Sequence, residues 1–330
     1  MKTLILGALA AAAAVVGGAE AQVRTDYHMH VHSPAILKML PAYCGSPARK
    51  GACDPRFTEP LTVDDLLAQM DKAGVQHGWL MSTAYLARSP MMVPALPDAA
   101  QITRDANDFT VGLARARPDR LSTFIGVNPL APDALDEIGR WKGDCAVTGL
   151  KLHLTNSEVD LRDPAQVQRL AAVFKAAADN GWTIMIHMRT RAADYGAQDV
   201  RVFLKDVLPA AGQQPVVLAH AAGWGGIDAV TLDALGAFAD ALQADPKLGD
   251  TLRFDLAQVM TDKTSPEDRA KLAALIRRIG PDHFLAASDW PFSGDLKSYF
   301  ATKFAWPVLT PAEWSQVTNA TVPEKTSCKR

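Results

Sequence analysis

The chain has 330 residues, 48% of them hydrophobic and 21% charged, with a formal net charge of −2. Acids and bases are interspersed with no basic stripe, which argues against a nucleic-acid partner. The length suits one large α/β barrel or two smaller domains, and no internal repeat or low-complexity run divides it.

Residues 1–21 read as a signal peptide: Lys2 is a minimal charged start, residues 4–16 form an apolar run, and Ala19-Glu20-Ala21 is a small-x-small cleavage site. The run is too short to span a membrane comfortably, and no cysteine follows the site to carry a lipid. The expectation is a single domain over 22–330, secreted or periplasmic, with no membrane attachment after cleavage. Export makes disulfides available to the four cysteines. Cys44 and Cys53 bracket a Gly- and Pro-containing loop and are the first choice for a bridge. None of the four has metal-finger spacing, and Cys145 reads as a small buried residue.

The first element after the signal is a short strand in Asp26-Tyr27-His28-Met29-His30-Val31-His32. Residues two apart in a strand share a face, so His28 and His30 point together. Two imidazoles side by side at a strand end can chelate a borderline metal such as zinc. A long loop rich in Pro, Gly and charge is expected over 33–61. Thr62 then caps a helix over 63–73, with Asp64 and Asp65 in its first turn and Gly74 at its end. Strands are expected over 77–83, 121–127 and 145–154, with helices over 99–116, 132–141 and 164–180 between and after them. The second half repeats the alternation: strands over 182–188, 215–220, 251–256 and 283–288, helices over 198–211, 227–243 and 266–279, and two closing helical stretches over 296–304 and 311–317. Eight strands, each followed by helix, predict a parallel sheet closed into a (β/α)8 TIM barrel. A doubly wound open sheet is the alternative, but no G-x-G-x-x-G follows an early strand.

In such a barrel the chemistry lies at the C-terminal ends of the strands. His28 and His30 end the first strand, Lys151 and His153 the fourth, His187 the fifth, His220 the sixth and Asp289 the eighth. His77 and His283 fall at strand starts and read as structural. Polar groups at five strand ends converge on one mouth, and an apolar barrel gains nothing from burying them unless they bind something, so a metal site is expected. Arg189 and Arg191 follow His187, where a guanidinium would suit an acidic substrate. Trp224 and Trp290 follow mouth strands and are candidates for pocket walls or for packing. His153 is a candidate pocket wall.

These motifs resemble the amidohydrolase superfamily: H-x-H on strand 1, histidines on strands 5 and 6, and an aspartate on strand 8. Gly149-Leu150-Lys151-Leu152-His153, Ser288-Asp289-Trp290-Pro291-Phe292 and Thr318-Asn319-Ala320 look like its amidohydrolase-related branch of TIM-barrel metal-dependent hydrolases. The resemblance implies that His28, His30, His187 and Asp289 hold one divalent ion, zinc or alternatively manganese. A second ion bridged by a carboxylated Lys151 is the less favoured form; otherwise Lys151 steadies a substrate carboxylate. It further implies that Asp289 takes a proton from a metal-activated water while His220 polarises the substrate or protonates the leaving group. The expected activity is hydrolysis of a small carboxylic ester, lactone or amide, with Lys151, Arg189 and Trp290 against the substrate. The branch also holds decarboxylases of unsaturated and aromatic acids, which is the alternative reading; a barrel that binds metal or ligand without turnover is the third. The substrate is a small molecule, and assembly into a homo-oligomer is left open.

Overall fold

The computed structural model describes residues 22–49, 52–261, 263–302 and 309–322; the expected signal segment lies outside them. Eight strands pair in chain order: β1 (Thr25–Met29), β2 (His77–Met81), β3 (Leu121–Gly126), β4 (Val147–His153), β5 (Thr183–His187), β6 (Val216–Leu218), β7 (Leu252–Asp255) and β8 (Phe284–Leu285). All seven pairings are parallel. Backbone hydrogen bonds from Tyr27 to Ala286, from Asp289 to His28 and from His30 to Trp290 (3.0, 2.8 and 2.8 Å) bring the last strand back to the first. The architecture is a TIM barrel.

Around it run α1 (Pro34–Cys44), α2 (Pro55–Thr58), α3 (Val63–Ala73), α4 (Ala99–Arg115), α5 (Ala134–Arg140), α6 (Leu154–Ser157), α7 (Pro164–Asp179), α8 (Ala197–Val202), α9 (Ala229–Ala244), α10 (Pro266–Ile279), α11 (Leu296–Ala301) and α12 (Pro311–Asn319). Helix α3 forms as its sequence dictates. Thr62 and Asp65 make a reciprocal capping box, and Gly74 ends the helix at φ 74°, a left-handed turn that glycine takes without a side-chain penalty.

Alternate strand residues divide the core. Trp79, Met81, Phe124, Met185, Val217 and Leu285 fill the inside of the barrel. Their neighbours Leu80, Ile125, Ile184, Val216 and Phe284 belong to the larger cluster beneath the helices. Gly149 leaves room for this filling, because a Cβ there would lie 2.1 Å from the Phe124 ring.

Three expectations need correction. The segment read as loop over 33–61 contains α1 and α2. Pro41 argues against helix locally, yet Ile36, Met39, Leu40 and Tyr43 bury one face and hold α1 together. The helix expected over 198–211 breaks into α8, a wide π-type turn over 203–207 and a tight 3₁₀ turn over 208–211; Pro209 has no N–H to continue an α-helix. Cys44 and Cys53 are bridged, with Cα atoms 5.6 Å apart, but Cys145 is exposed and disulfide-bonded rather than a buried apolar filler.

Candidate metal centre and cavity

The strand ends open into a cavity of about 400 Å³ lined by His28, His30, His32, Lys151, His153, His187, His220 and Asp289 among others. His77 and His283 are not part of its lining. Strand β1 delivers His28 and His30 through an irregularity in its pairing with β2 between Asp26 and Met29. Tyr27 therefore packs inside the barrel against Trp79 while Met29 packs outside it.

The histidine tautomers follow from their partners. His30 Nδ1 lies 2.9 Å from the Met81 carbonyl oxygen and His220 Nδ1 lies 2.7 Å from that of Ala257. A carbonyl only accepts, so each Nδ1 carries the proton and each Nε2 presents a lone pair. His28 Nδ1 is 2.8 Å from Asp255 Oδ2, and the Lys151 ammonium donates to His28 Nε2 at 2.9 Å. His28 Nε2 and His30 Nε2 thus meet at 3.2 Å with no proton between them. Asp289 Oδ1 lies 3.5 Å from the first and 3.3 Å from the second.

Lone pairs and a carboxylate oxygen converging on one point repel one another, and the Lys151 ammonium at His28 Nε2 is the one positive charge set against them among the described residues. This donor set fits a divalent ion with nitrogen and oxygen ligands. Among the described residues, two groups bring their donor atoms within 4.8 Å of one another: His28, His30 and Asp289, and His28, His220 and Asp255. His187 belongs to neither. Its ring stacks on His153 at 3.8 Å and meets His220 edge-on at 5.1 Å, and its buried Nδ1 has no hydrogen-bond partner among the described residues. It stands beside the cluster with an unused donor.

The electrostatics agree with a site built for a cation. Burial, and then the Lys151 charge, push the His28 imidazole well below the usual histidine range. Burial does the same for His187, and it holds His32 down to about 3. Burial lowers Lys151 to about 8. Burial works to raise Asp289, but His28, His30 and His220 outweigh it and hold the carboxyl below the usual carboxylate range. His220 and Asp289 sit at φ 55° and 58°. Such left-handed conformations cost roughly 1–2 kcal/mol in a residue with a side chain, a strain found where geometry serves a site.

Two expected substrate contacts lie elsewhere. Arg189 is buried, pairs through both Nη atoms with Asp228 at 3.0 and 3.1 Å, and stacks on Trp224. It does not line the cavity. Trp290 is also absent from the lining and packs in the core at 3% exposure; Phe292 faces the cavity instead. Sequence reasoning missed Arg49, Tyr43, Tyr85, Phe57 and Asp255. Arg49 enters from the loop closed by the Cys44–Cys53 bridge, over the Tyr43 ring at 4.7 Å, and among the described residues no carboxylate pairs with it. Asp255 had a signal: it is an acid ending an apolar strand, the same pattern that singled out Asp289.

The chain belongs to the amidohydrolase family, whose model matches residues 25–316. No curated protein matches the sequence. Among solved structures it is similar to 5-carboxyvanillate decarboxylase LigW from Sphingomonas paucimobilis, at 17% identity and TM-score 0.61 over 91% of this chain and 97% of that one. A 5-carboxyvanillate decarboxylase from Novosphingobium aromaticivorans with bound manganese and 3-methoxy-4-hydroxy-5-nitrobenzoic acid matches at 13% identity and TM-score 0.59, over 92% of this chain and 96% of that one. An amidohydrolase from Burkholderia multivorans with bound zinc matches at 17% identity and TM-score 0.52, over 90% and 96%. At these identities the likeness is one of fold.

Proposed function

We propose that the protein is an exported, metal-dependent enzyme that removes CO₂ from a small aromatic or unsaturated carboxylic acid without an oxidant. One observation carries the reading: a single ring-sized cavity combines the imidazole cluster, the cations Arg49 and Lys151, and the aromatic walls Tyr43, Phe57, Tyr85 and Phe292. The fold's likeness to decarboxylases of carboxylated aromatics supports it, and the disulfides suit an oxidising compartment. No helix among the described residues is long and apolar enough to cross a membrane.

His28, His30, His187 and Asp289 would hold one divalent ion, zinc or manganese; when bound, that ion supplies Lewis acidity toward a substrate oxygen. The chain does the rest. Arg49 pairs with a substrate carboxylate, for which its planar fork is suited. The aromatic walls clamp the ring and exclude water. When the C–C bond breaks, its electron pair stays on the substrate carbon and CO₂ leaves. A proton must reach that carbon, and His220, fixed through Nδ1 to Ala257, takes one up from water at its Nε2 lone pair and passes it on.

Hydrolysis of an acidic ester, lactone or amide is the second reading. It is favoured by Asp289, which sets Oδ1 beside His28 and His30 and leaves another oxygen to accept a proton from water. Protein loaded with zinc or manganese, assayed for CO₂ release from hydroxybenzoic and unsaturated acids beside an ester, lactone and amide panel, separates the two. Hydrolysis without CO₂ release overturns the decarboxylase reading, and turnover of neither set favours a binding barrel.

A further inference from the structure

Asp255 ends β7, is wholly buried, and lies off the cavity wall. Its Oδ1 accepts the backbone N–H of His220 at 2.8 Å and of Ala257 at 3.0 Å. Its Oδ2 faces His28 Nδ1 at 2.8 Å. One carboxylate therefore joins the ring of one cavity histidine to the main chain of another. It does so where the chain needs holding: His220, Ala221 and Ala222 run consecutively at φ 55°, 51° and 66°.

We infer that Asp255 is a positioning residue that fixes His28 as the Nδ1–H tautomer, so that His28 Nε2 keeps its lone pair for a cation. The geometry leaves Asp255 no alternative orientation. Two backbone N–H groups only donate, so the atom at Oδ1 must be an acceptor. The remaining oxygen, as a carboxylate, accepts the imidazole N–H; a protonated one would donate to Nδ1 and leave the ring proton on Nε2, facing the Lys151 ammonium. Lys151, which has only donors, meets His28 Nε2 and agrees with the same tautomer. The inference rests on the reading of His28 as a metal-holding residue, and its test separates the two claims.

Asp255→Asn is the informative change because it is nearly isosteric. The two backbone donors hold the amide oxygen at the Oδ1 position, so the NH₂ turns toward His28 Nδ1. That nitrogen must then accept, and the ring proton moves to Nε2, where a cation would bind. Lys151 yields, since its ammonium ends a flexible stem that faces the cavity.

The experiment is ¹⁵N NMR of histidine rings in metal-free protein, with His28 assigned by loss of its signal in His28→Asn, followed by zinc titration against a chromophoric chelator. Wild-type protein should show His28 as Nδ1–H. D255N should show Nε2–H and bind zinc about 10- to 100-fold more weakly, the usual effect of losing a partner that orients a ligand. A role confined to stability would lower the melting temperature and leave the tautomer unchanged. Nε2–H in the wild type, an unchanged tautomer in D255N, or an unchanged zinc Kd after the switch each overturns the inference. The wild-type spectrum decides the matter even if D255N does not fold. Absence of zinc binding by the wild type overturns the metal reading while leaving the tautomer result to stand.

Discussion

His220 and Asp289 face the same cavity but should fail differently when altered. Asp289→Asn removes the anion beside His28 and His30, and it releases the two imidazole lone pairs from the charge that balances a cation. Metal content and rate should fall together. His220 joins a donor set only through Asp255 and His28, so His220→Asn should keep most of the bound metal while the rate falls by about 10²- to 10⁴-fold, the usual worth of acid–base help. Metal analysis and single-turnover rates on both variants check this; equal loss of metal in the two would place His220 among the ligands. Much of this site was legible in the sequence, because histidines ending apolar strands are hard to explain as packing. What escaped was orientation. Nothing local shows that Arg189 turns toward Asp228, since the acid lies 39 residues away, or that Trp290 turns into the core. Asp255 escaped because β7 carries no histidine beside it to mark the strand end as part of the cluster.

At the scale of elements, α1 and the bridged loop after it form the wall that the sequence disguised. Ser33 caps α1 and Pro34 opens it, both ordinary helix-start signals. The proline at 41 and the glycines beyond it read as loop because tertiary packing, not propensity, sustains the last turn. The Cys44–Cys53 bridge then closes a short loop that carries Arg49 to the cavity. Arg49→Met should raise KM for a carboxylate substrate about 10- to 100-fold, the worth of one charge-assisted hydrogen bond. Its effect on kcat and on melting should be small, since no acid pairs with Arg49 among the described residues; steady-state kinetics on acidic and neutral substrates check it. Replacing both cysteines by serine should cost roughly 2–3 kcal/mol by the chain-entropy argument, read by urea unfolding. It should also raise KM in the same sense as Arg49→Met, because the loop would no longer hold the guanidinium in place. An unchanged KM in the double serine variant would show that packing of Tyr43 and α1 positions the loop without the bridge.

The strand pairing of the barrel is sparsest at its seam, and the candidate metal centre lies across it. Strand β8 has two residues and pairs with β7 at two positions only. Its return to β1 relies on a few backbone bonds, one isolated bridge between Met29 and Trp290, and the Asp26 carboxylate, which accepts from His28 on one side and Ser288 on the other. His28 and His30 come from the first side of this seam and Asp289 from the second, so a cation held by all three ties the first strand to the last. Binding that is confined to the folded state stabilises it by mass action, about 2.7 kcal/mol at a hundredfold excess over Kd. Here that stabilisation should be local as well as global. Hydrogen exchange on zinc-loaded and chelator-treated protein should show the largest change in amides of residues 26–30 and 286–290. The middle of the sheet, β3 through β5, whose strands pair over longer registers, should change least. Protection spread evenly over the barrel would mean that metal acts only through overall stability. Protection concentrated near His187 instead would move the centre away from the seam and toward β5, and with it the assignment of Asp289 as a ligand would fall.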